Sequence, residues 1–344
     1  MLSSLAADRA RLADLEAQIS ELERSLSELK SQKHLVLGRL DSYKYPILTL
    51  PNETTIEIFI HFLPTYPLCP PLKGPESPTL LTQICHQWRG IALETPALWR
   101  AISMSPSIPC SSLPNMWLSR SRHYPLSFDY HVDRRVDSSV HAAEVISALA
   151  PHRARWEHLG LQIVTSLLRG IEGPMPLLRS LNLRLLNRDS TRFSFLDAPL
   201  LRTAILNDYA AEILTLPWAQ LTSLTLFRVF PRECAPILRH ASSLVYCELD
   251  LVEDSDDVPD ITLPYLRSLT LTGNSVMQYL ETLIIPALHD LCVPESFLGP
   301  KPTETLTSFM SKSGCTLGEL CITSPQLPRD LYYKAFTSIK ISFD

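Results

Sequence analysis

The chain has 344 residues, of which 45% are hydrophobic and 19% are charged, and its formal net charge is −5. This length and apolar content allow two or three domains with a substantial core. The lack of a basic excess argues against a nucleic-acid or acidic-membrane partner, and no apolar run reaches the roughly 18 residues that a membrane helix needs.

The eight cysteines are scattered, without the close pairs such as C-x-x-C that a zinc site needs. Cys85 and Cys247 lie within apolar patterns, where a thiol behaves as a small buried hydrophobe. The beginning of the chain lacks the charged-then-apolar layout of a signal peptide. We therefore expect reduced cysteines in a cytoplasmic or nuclear protein, with no metal and no other cofactor.

A heptad pattern predicts one long helix over residues about 2–42, within an N-terminal segment 1–44. Asp8 and Lys33 interrupt the apolar seam. A regular seam of this kind indicates a partner helix. A homodimer through this coiled-coil-like helix is one interpretation, and packing on its own chain or on another protein is the alternative. One core position of the seam holds Leu5, Leu12, Ile19, Leu26 and Leu40, and the other holds Leu15, Leu22, Leu29 and Val36.

Residues 45–102 carry the signals of three short helices. Pro51 and Asn52 mark the first start, because Asn can cap free backbone N–H groups and Pro has no N–H to leave unpaired. Pro78 and Pro96, each beside a residue that can act as a cap, mark the other two. Fewer than about sixty residues make a marginal domain alone, and three short helices cannot bury all the apolar positions present. We therefore expect some of this surface to face another protein.

The apolar and aromatic residues of this segment follow an ordered motif. It reads L-P-x-E, then I-F, then I-C-x-x-W-R-x-I-A, then L-W, and it comprises Leu50, Pro51, Glu53, Ile58, Phe59, Leu63, Ile84, Cys85, Trp88, Arg89, Ile91, Ala92, Leu98 and Trp99. This motif resembles the F-box, in particular the large fungal set of F-box-like proteins.

The resemblance implies docking onto the Skp adaptor of an SCF-type cullin-RING ubiquitin ligase. It assigns the docking to Leu50, Pro51, Ile58, Phe59 and Leu63. By the same resemblance, the residues that hold the bundle or complete the interface are Ile84, Trp88, Leu98 and Trp99. The alternative is a three-helix part of another domain with the same capping signals.

A Pro-rich stretch, residues 64–78, interrupts the segment and cannot be a helix or a central strand. It is either a stiff surface spacer or a polyproline-type contact for a partner. Residues 103–125 follow as a connector, in which Ser103 to Pro114 is a linker and Met116–Arg122 a short helix. We predict a strand at Leu126–Tyr130 and a helix near Ser139–Ala150.

A repeat of the form L-x-x-L-x-L, with some substitutions, fills most of residues 126–344, mostly at steps of about 20 to 23 residues. It resembles leucine-rich repeats, each of which contributes one strand. We expect a curved solenoid with a parallel inner sheet of nine strands, about 40 Å long. An ordinary α/β domain is the alternative. The repeats begin at Trp156, Leu178, Leu201, Leu221, Leu244, Leu266, Leu288, Leu317 and Phe336.

Residues between the repeat leucines should face the open side of this sheet. Among them, Phe227 and Tyr246 are predicted to lie on adjacent strands as an exposed aromatic pair. Aromatic and Arg side chains carry much of the binding energy of protein interfaces. The predicted substrate-binding residues are Arg184, Phe227, Tyr246, Glu248 and Asp250.

No nucleotide-binding, esterase or metalloprotease motif is present, and the ten histidines are dispersed. The acidic run from Glu253 to Asp260 lacks the Gly and the closing Glu of a calcium loop. The sequence therefore predicts a protein that is not an enzyme. By resemblance it is a substrate-receptor subunit, with a Skp-type adaptor, the cullin ligase core and an unknown protein substrate as partners. The alternative is a non-ligase scaffold that oligomerises through the heptad helix.

Overall fold

The computed structural model describes residues 2–42, 46–104, 113–131, 139–253, 259–273 and 279–344. The chain forms two compact units, Met1–Glu57 and Ile58–Asp344, so the boundary falls inside a helix. The described chain is a mixed α/β protein with a long N-terminal helix and a C-terminal parallel sheet.

The helices differ greatly in length. Those in the described residues are α1 (Leu2–Ser42), α2 (Asn52–Phe62), α3 (Pro78–Ile84), α4 (His86–Glu94), α5 (Leu113–Arg120), α6 (Ser139–Leu149), α7 (Asp208–Ile213), α8 (Pro231–His240), α9 (Pro302–Ser313) and α10 (Arg329–Ala335). Short 3₁₀ turns lie at Pro46–Thr49, Pro96–Trp99, Ala150–Arg155, Thr165–Gly170, Trp218–Gln220, Tyr279–Thr282 and Glu295–Leu298. The predicted long first helix and the helix near Ser139–Ala150 are confirmed.

The strands are short and follow one another along the chain. They are β1 (Ala101–Met104), β2 (Leu126–Tyr130), β3 (Trp156–Ile163), β4 (Ser180–Leu185), β5 (Phe193–Ser194), β6 (Thr203–Asn207), β7 (Leu214–Thr215), β8 (Ser223–Val229), β9 (Tyr246–Leu251), β10 (Ile261–Thr262), β11 (Ser268–Gly273), β12 (Leu283–Ile284), β13 (Asp290–Pro294), β14 (Glu319–Thr323) and β15 (Lys340–Phe343). Eleven of them form one parallel sheet in the order β1-β2-β3-β4-β6-β8-β9-β11-β13-β14-β15. The remaining four form the pairs β5–β7 and β10–β12.

Each of the nine predicted repeats supplies one strand of the large sheet, and the strand predicted at Leu126–Tyr130 is β2. The predicted number of nine strands in this sheet is wrong, because β1 and β2 precede the repeats: β1 pairs with β2, and β2 pairs with β3. Strand β1 has the sequence Ala-Ile-Ser-Met and lacks the leucines that reveal the others.

Two rows of buried side chains run across the strands and form the core of the sheet. In one row Leu181, Ala204, Leu224, Cys247 and Leu269 lie in register, and the row two residues further along each strand is leucine from β3 to β11. Helix α7 contacts β4, β6 and β8. The side chains between these rows are left on the open face of the sheet.

Two asparagines tie neighbouring turns of the chain together. The Asn207 side chain accepts the N–H of Leu185 and donates to the C=O of Leu185, each at 2.9 Å. Asn187 Oδ1 accepts the N–H of Thr165 at 2.9 Å. From the sequence we expect such an Asn only at Asn274, which lies outside the described residues. That expectation is wrong, because the amides of Asn207 and Asn187 also satisfy backbone groups that the strand ends leave unpaired.

The predicted second helix of residues 45–102 is divided at Cys85. Cys85 has an extended backbone, and its Sγ accepts the N–H of Trp88 at 3.4 Å, so that α4 starts anew. The predicted start at Pro78 is confirmed, with Ser77 Oγ capping Thr79 N–H. The third predicted helix is only the 3₁₀ turn Pro96–Trp99, because the Thr95 hydroxyl bonds the C=O of Ile91 and does not cap the turn.

The segment predicted as a connector, 103–125, contains more regular structure than expected. Ser103 and Met104 lie in β1, and α5 begins at Leu113, where we expect a start at Met116. This helix ends at Arg120, before Arg122, whose φ of 49° is left-handed and cannot continue a right-handed helix. Residues 105–112 of the predicted linker lie outside the described residues.

Candidate protein-binding surfaces

Helix α2 carries apolar side chains at five of its last seven positions, 56–62, and Glu57 and His61 are the other two. Ile58 is 43% exposed, and Ile60 and Phe62 are exposed as well, whereas Phe59 is fully buried. Apolar residues that cover more than one face of a helix are normally buried on more than one side, because each exposed apolar face costs free energy in water. The exposed apolar side chains of α2 are therefore the most pronounced candidate for a protein contact in this part of the chain.

An open groove of about 340 Å³ lies beside the end of α2. Its apolar lining includes Ile60, Leu63 and Leu68, and Arg100 supplies a charge. Leu68 is 66% exposed, so the groove continues into an apolar rim. Ile84, the last residue of α3, is 53% exposed.

The predicted adaptor-binding residues divide into an exposed and a buried group. Ile58, Ile84 and Pro51 are exposed, and Leu50, Leu63 and Trp88 are half-buried. Phe59, Leu98 and Trp99 are at most 1% exposed. A side chain without accessible surface cannot contact a partner, so the docking role expected for Phe59 does not fit this structure.

The buried group holds the helices together. The Phe59 and Trp88 rings meet edge to face at 5.0 Å between centroids, and Trp99 and Trp117 do so at 4.8 Å. Trp99 Nε1 donates to the C=O of Ala92 at 2.7 Å. Aromatic pairs of this geometry stabilise a core beyond the area that they bury. Leu98 and Trp99 are therefore core residues of this part of the chain.

The Pro-rich segment 64–78 packs on the first strands of the sheet, and is neither a free spacer nor an open polyproline stretch. Tyr66 Oη donates to Glu157 Oε2 at 2.7 Å, and the Arg100 guanidinium lies 3.8 Å from the Tyr66 ring centroid. Ser127 Oγ donates to the C=O of Pro67 at 2.6 Å. Burial, followed by the bond to Glu157, raises the pKa of Tyr66, so this hydroxyl stays protonated and remains a donor.

The open face of the sheet carries a mixed row of charged, amide and aromatic side chains. Arg184 on β4 lies beside Asn207 on β6, which is the register partner of Phe227 on β8. The Arg184 guanidinium is 4.7 Å from the Phe227 ring centroid, a cation–π distance. The structure thus brings together two of the predicted substrate-binding residues.

The aromatic pair predicted from Phe227 and Tyr246 does not form. Tyr246 is the register partner of Ser223, four residues before Phe227, so the two rings are separated by about 13 Å along the strands. The register between β8 and β9 also shifts after Leu226. Both side chains remain on the open face, Tyr246 exposed and Phe227 half-buried.

Glu248 and Asp250 are the carboxylates of this face that lack an internal cation among the described residues. Other carboxylates at the sheet have one: Asp129 pairs with His131 at 2.8 Å, and Glu319 with Lys340 at 2.7 Å. Glu248 has only a long hydrogen bond from Thr225 Oγ1, at 3.4 Å. The middle of the open face therefore carries two half-buried negative charges beside Phe227.

His131 and Asp129 form a pair on β2 and just beyond it. The hydrogen bond to Asp129 raises the pKa of His131 above 6.5, against the opposing effect of burial. Gly160 lies opposite Asp129 in the register, and a Cβ at Gly160 would overlap the Asp129 carboxylate. The glycine thus leaves the space that this carboxylate occupies.

Neither a metal centre nor a membrane span is found in the described part of the chain. No group of three or more His, Cys, Asp or Glu side chains there is arranged to hold a metal ion. No helix there is long and apolar enough to cross a bilayer. The seven cysteines in these ranges are all free thiols.

Several residues of these surfaces are missed by sequence reasoning. Ile60, Phe62 and Leu68 are as exposed as the motif residues but belong to no motif. Tyr66 and Arg100 anchor the Pro-rich segment through contacts with Glu157 and with each other, which no local pattern reveals. For Ile60 and Phe62 a signal did exist, since α2 has more apolar residues than one face can bury.

The comparisons with known proteins add no relationship. No protein-family model matches the sequence. A search of curated proteins found no match either. The functional argument therefore depends on the residues and surfaces described above.

Proposed function

We propose that this chain is a substrate-receptor subunit of an SCF-type cullin-RING ubiquitin ligase. In this proposal α2, α3, α4 and the turn Pro96–Trp99 are an F-box-like bundle that docks a Skp-type adaptor. The parallel sheet with its connectors is a leucine-rich-repeat-like solenoid that binds a protein substrate. The chain would do no bond chemistry itself; it would contribute proximity between the substrate and the ubiquitin-loaded enzyme.

The observation that carries the proposal is the apolar surface of α2 over an aromatic core. Ile58, Ile60 and Phe62 are exposed, while Phe59 and Trp99 are buried beneath. Exposed apolar side chains at this density mark a protein–protein contact more often than a free surface. Two residues of the F-box-like motif, Ile58 on α2 and Ile84 on α3, are exposed.

The sheet supports the second half of the proposal. Its open face presents Arg184, Phe227, Glu248 and Asp250, with Tyr246 nearer the beginning of β9. Arg and aromatic anchors beside uncompensated carboxylates suit the recognition of a polar protein segment.

The test is co-purification of the full chain with a Skp-type adaptor. We expect the wild type to retain the adaptor and the double variant Ile58→Glu, Ile84→Glu to lose it, because two charges would be placed on an apolar contact surface. The matched control is Asn52→Glu with Gln83→Glu, which adds the same charges at exposed polar positions of the same two helices, away from the groove beside the end of α2.

Retention by the control and loss by the double variant support docking through this surface. No adaptor binding by the wild type would sink the proposal. A thermal unfolding curve of each variant shows whether a lost interaction reflects a lost fold.

A second candidate is a non-ligase scaffold that oligomerises through α1. The exposed heptad seam of that helix favours it. The two candidates differ in the adaptor experiment, since the scaffold would self-associate without binding a Skp-type adaptor.

A further inference from the structure

Helix α1 is continuous over 41 residues and its heptad seam is open along its described length. The seam residues from Leu12 to Leu40 are between 46% and 69% exposed. At 1.5 Å per residue the helix extends about 60 Å. An apolar stripe of this length on a single helix needs a partner, since an isolated helix gains most of its stability by packing such a face.

Two opposite charges interrupt the seam at symmetric places. Asp8 occupies the same heptad position as Leu15 and Leu22, and Lys33 the same position as Ile19 and Leu26. Both are exposed, and neither has an ion-pair partner within the described part of the chain. The point midway between them lies between Ile19 and Leu22, at the middle of the helix.

We infer that α1 pairs with α1 of a second copy of this chain as an antiparallel coiled coil in which Asp8 of each copy faces Lys33 of the other. In an antiparallel pair each residue of one core position packs against the other core position of the partner helix. The register that joins Asp8 to Lys33 also joins Leu12 to Leu29, Leu15 to Leu26 and Ile19 to Leu22. Every layer thus contains either two apolar residues or one complete ion pair.

This register also overlaps the two helices over almost their whole length. A shift by one heptad in either direction would set Asp8 and Lys33 against apolar residues or past the partner's end. The pairing of the charges therefore selects this arrangement among the registers that keep the seam aligned.

A parallel, in-register pair would place each seam charge opposite the same charge of the partner helix. Asp8 would face Asp8 and Lys33 would face Lys33 inside the seam, and like charges across an interface strongly disfavour association. The charged residues that flank the seam favour the parallel arrangement. A parallel pair brings Arg11 near Glu16 of the partner helix. The antiparallel pair instead brings Glu16 near Glu23 and Arg9 near Lys30, which are pairs of like charge. Exposed rim charges are screened by water and salt and contribute little, so the two charges within the seam decide the orientation.

The contact area suffices for a stable dimer. About eight seam residues per helix, each giving up on the order of 100 Å² of apolar surface, bury roughly 800 Å² per copy. This matches the area that one partner buries in a typical stable complex.

The test is a charge-reversal cycle in the full chain, with dimer dissociation constants from analytical ultracentrifugation. The antiparallel pair predicts that Asp8→Lys and Lys33→Asp each weaken the dimer by about tenfold or more, because each variant sets like charges opposite one another. The double variant restores opposite charges and should return to within about threefold of the wild type. About 1 M NaCl should remove much of the single-variant effect.

The control is Asp14→Lys with Arg24→Asp, which reverses two charges on the outer positions of the same helix and should leave the dissociation constant unchanged. Four equal dissociation constants across the cycle would show a parallel pair. A monomeric wild type, or a stoichiometry above two, would show that the seam is covered by another occupant; each of these outcomes overturns the inference. Adaptor binding plays no part in this experiment, so its result is independent of the proposed ligase function.

Discussion

At the scale of single residues, charged groups of the sheet are held by specific partners. His131 sits at 2.8 Å from Asp129, and Gly160 leaves room for that carboxylate. Glu295 is a buried carboxylate that accepts the hydroxyl of Tyr332 at 2.7 Å and backbone N–H groups of Gln326 and Leu327. The His131–Asp129 pair and the hydrogen bonds of Glu295 each lead to a measurable prediction.

Replacement of Asp129 by Asn should lower the pKa of His131 toward its ordinary 6.5, which an NMR titration of the imidazole measures. In the wild type the folded pKa is raised, so the stabilisation from protonated His131 is present below the unfolded value of about 6.5 and is lost as the pH rises through the folded pKa. The variant should lose this pH dependence between 6.5 and the raised value. An unchanged His131 titration in the variant would refute the role of Asp129, and Asp197→Asn, at an exposed site, serves as control.

Replacement of Glu295 by Gln should lower the free energy of unfolding by about 1.5–3 kcal/mol, the usual contribution of hydrogen bonds to a charged group. The substitution keeps the shape but puts an NH₂ group among donors. Urea denaturation measures the loss. Glu304→Gln removes an exposed ion pair with Lys301 and should change stability by less than about 0.5 kcal/mol; equal effects of the two substitutions would contradict the argument.

At the scale of elements, the Pro-rich segment is part of the C-terminal fold. Tyr66 connects it to Glu157, just inside β3, and Ser127 connects it to β2. Leu72, Ser77 and Pro78 are buried as well. The segment is therefore fixed to the first strands of the sheet by side-chain contacts.

Tyr66→Phe should lower stability by about 1 kcal/mol, since it removes one hydrogen bond to a partly exposed carboxylate while it keeps the ring. The same variant should increase proteolytic cleavage within residues 64–78, because the segment loses an anchor and local opening becomes easier. Tyr124→Phe, at a 41% exposed ring, is the matched control. Cleavage in Tyr66→Phe at the wild-type rate would mean that the other contacts hold the segment alone.

At the scale of the whole molecule, the proposed self-association and the proposed adaptor docking use different elements and should be separable. The double variant Ile19→Glu, Leu22→Glu should give a monomer that still binds the adaptor, because it changes only the seam of α1. Ile58→Glu with Ile84→Glu should remain a dimer without adaptor. Light scattering of each variant with and without adaptor gives both answers, and Ala17→Glu with Ser20→Glu adds the same charges off the seam. Simultaneous loss of both properties in either variant would show that they are coupled.

The sequence predicts those elements whose residues repeat. Leucines at a fixed step reveal nine strands, and the heptads reveal α1, because burial on one face imposes a period on the sequence. Strand β1 is missed since it precedes the repeats, and the division at Cys85 is missed since it depends on one residue's backbone. Helix α2 has more apolar residues than one face can bury, but its sequence does not show which of them the fold leaves exposed. The separation of Phe227 from Tyr246 follows from strand register and the shift after Leu226, which no local pattern encodes.

The first edge of the large sheet ends on prolines. Pro71 bridges Ser103 of β1, and Ser103 N–H is already bonded to the C=O of Pro70 at 2.9 Å. Proline has no N–H with which to continue a ladder, so a foreign strand finds no regular template on this side. At β15 the described chain has no such block. Among the described strands, the blocked edge is therefore that of β1, where regular pairing with a strand of another molecule is disfavoured.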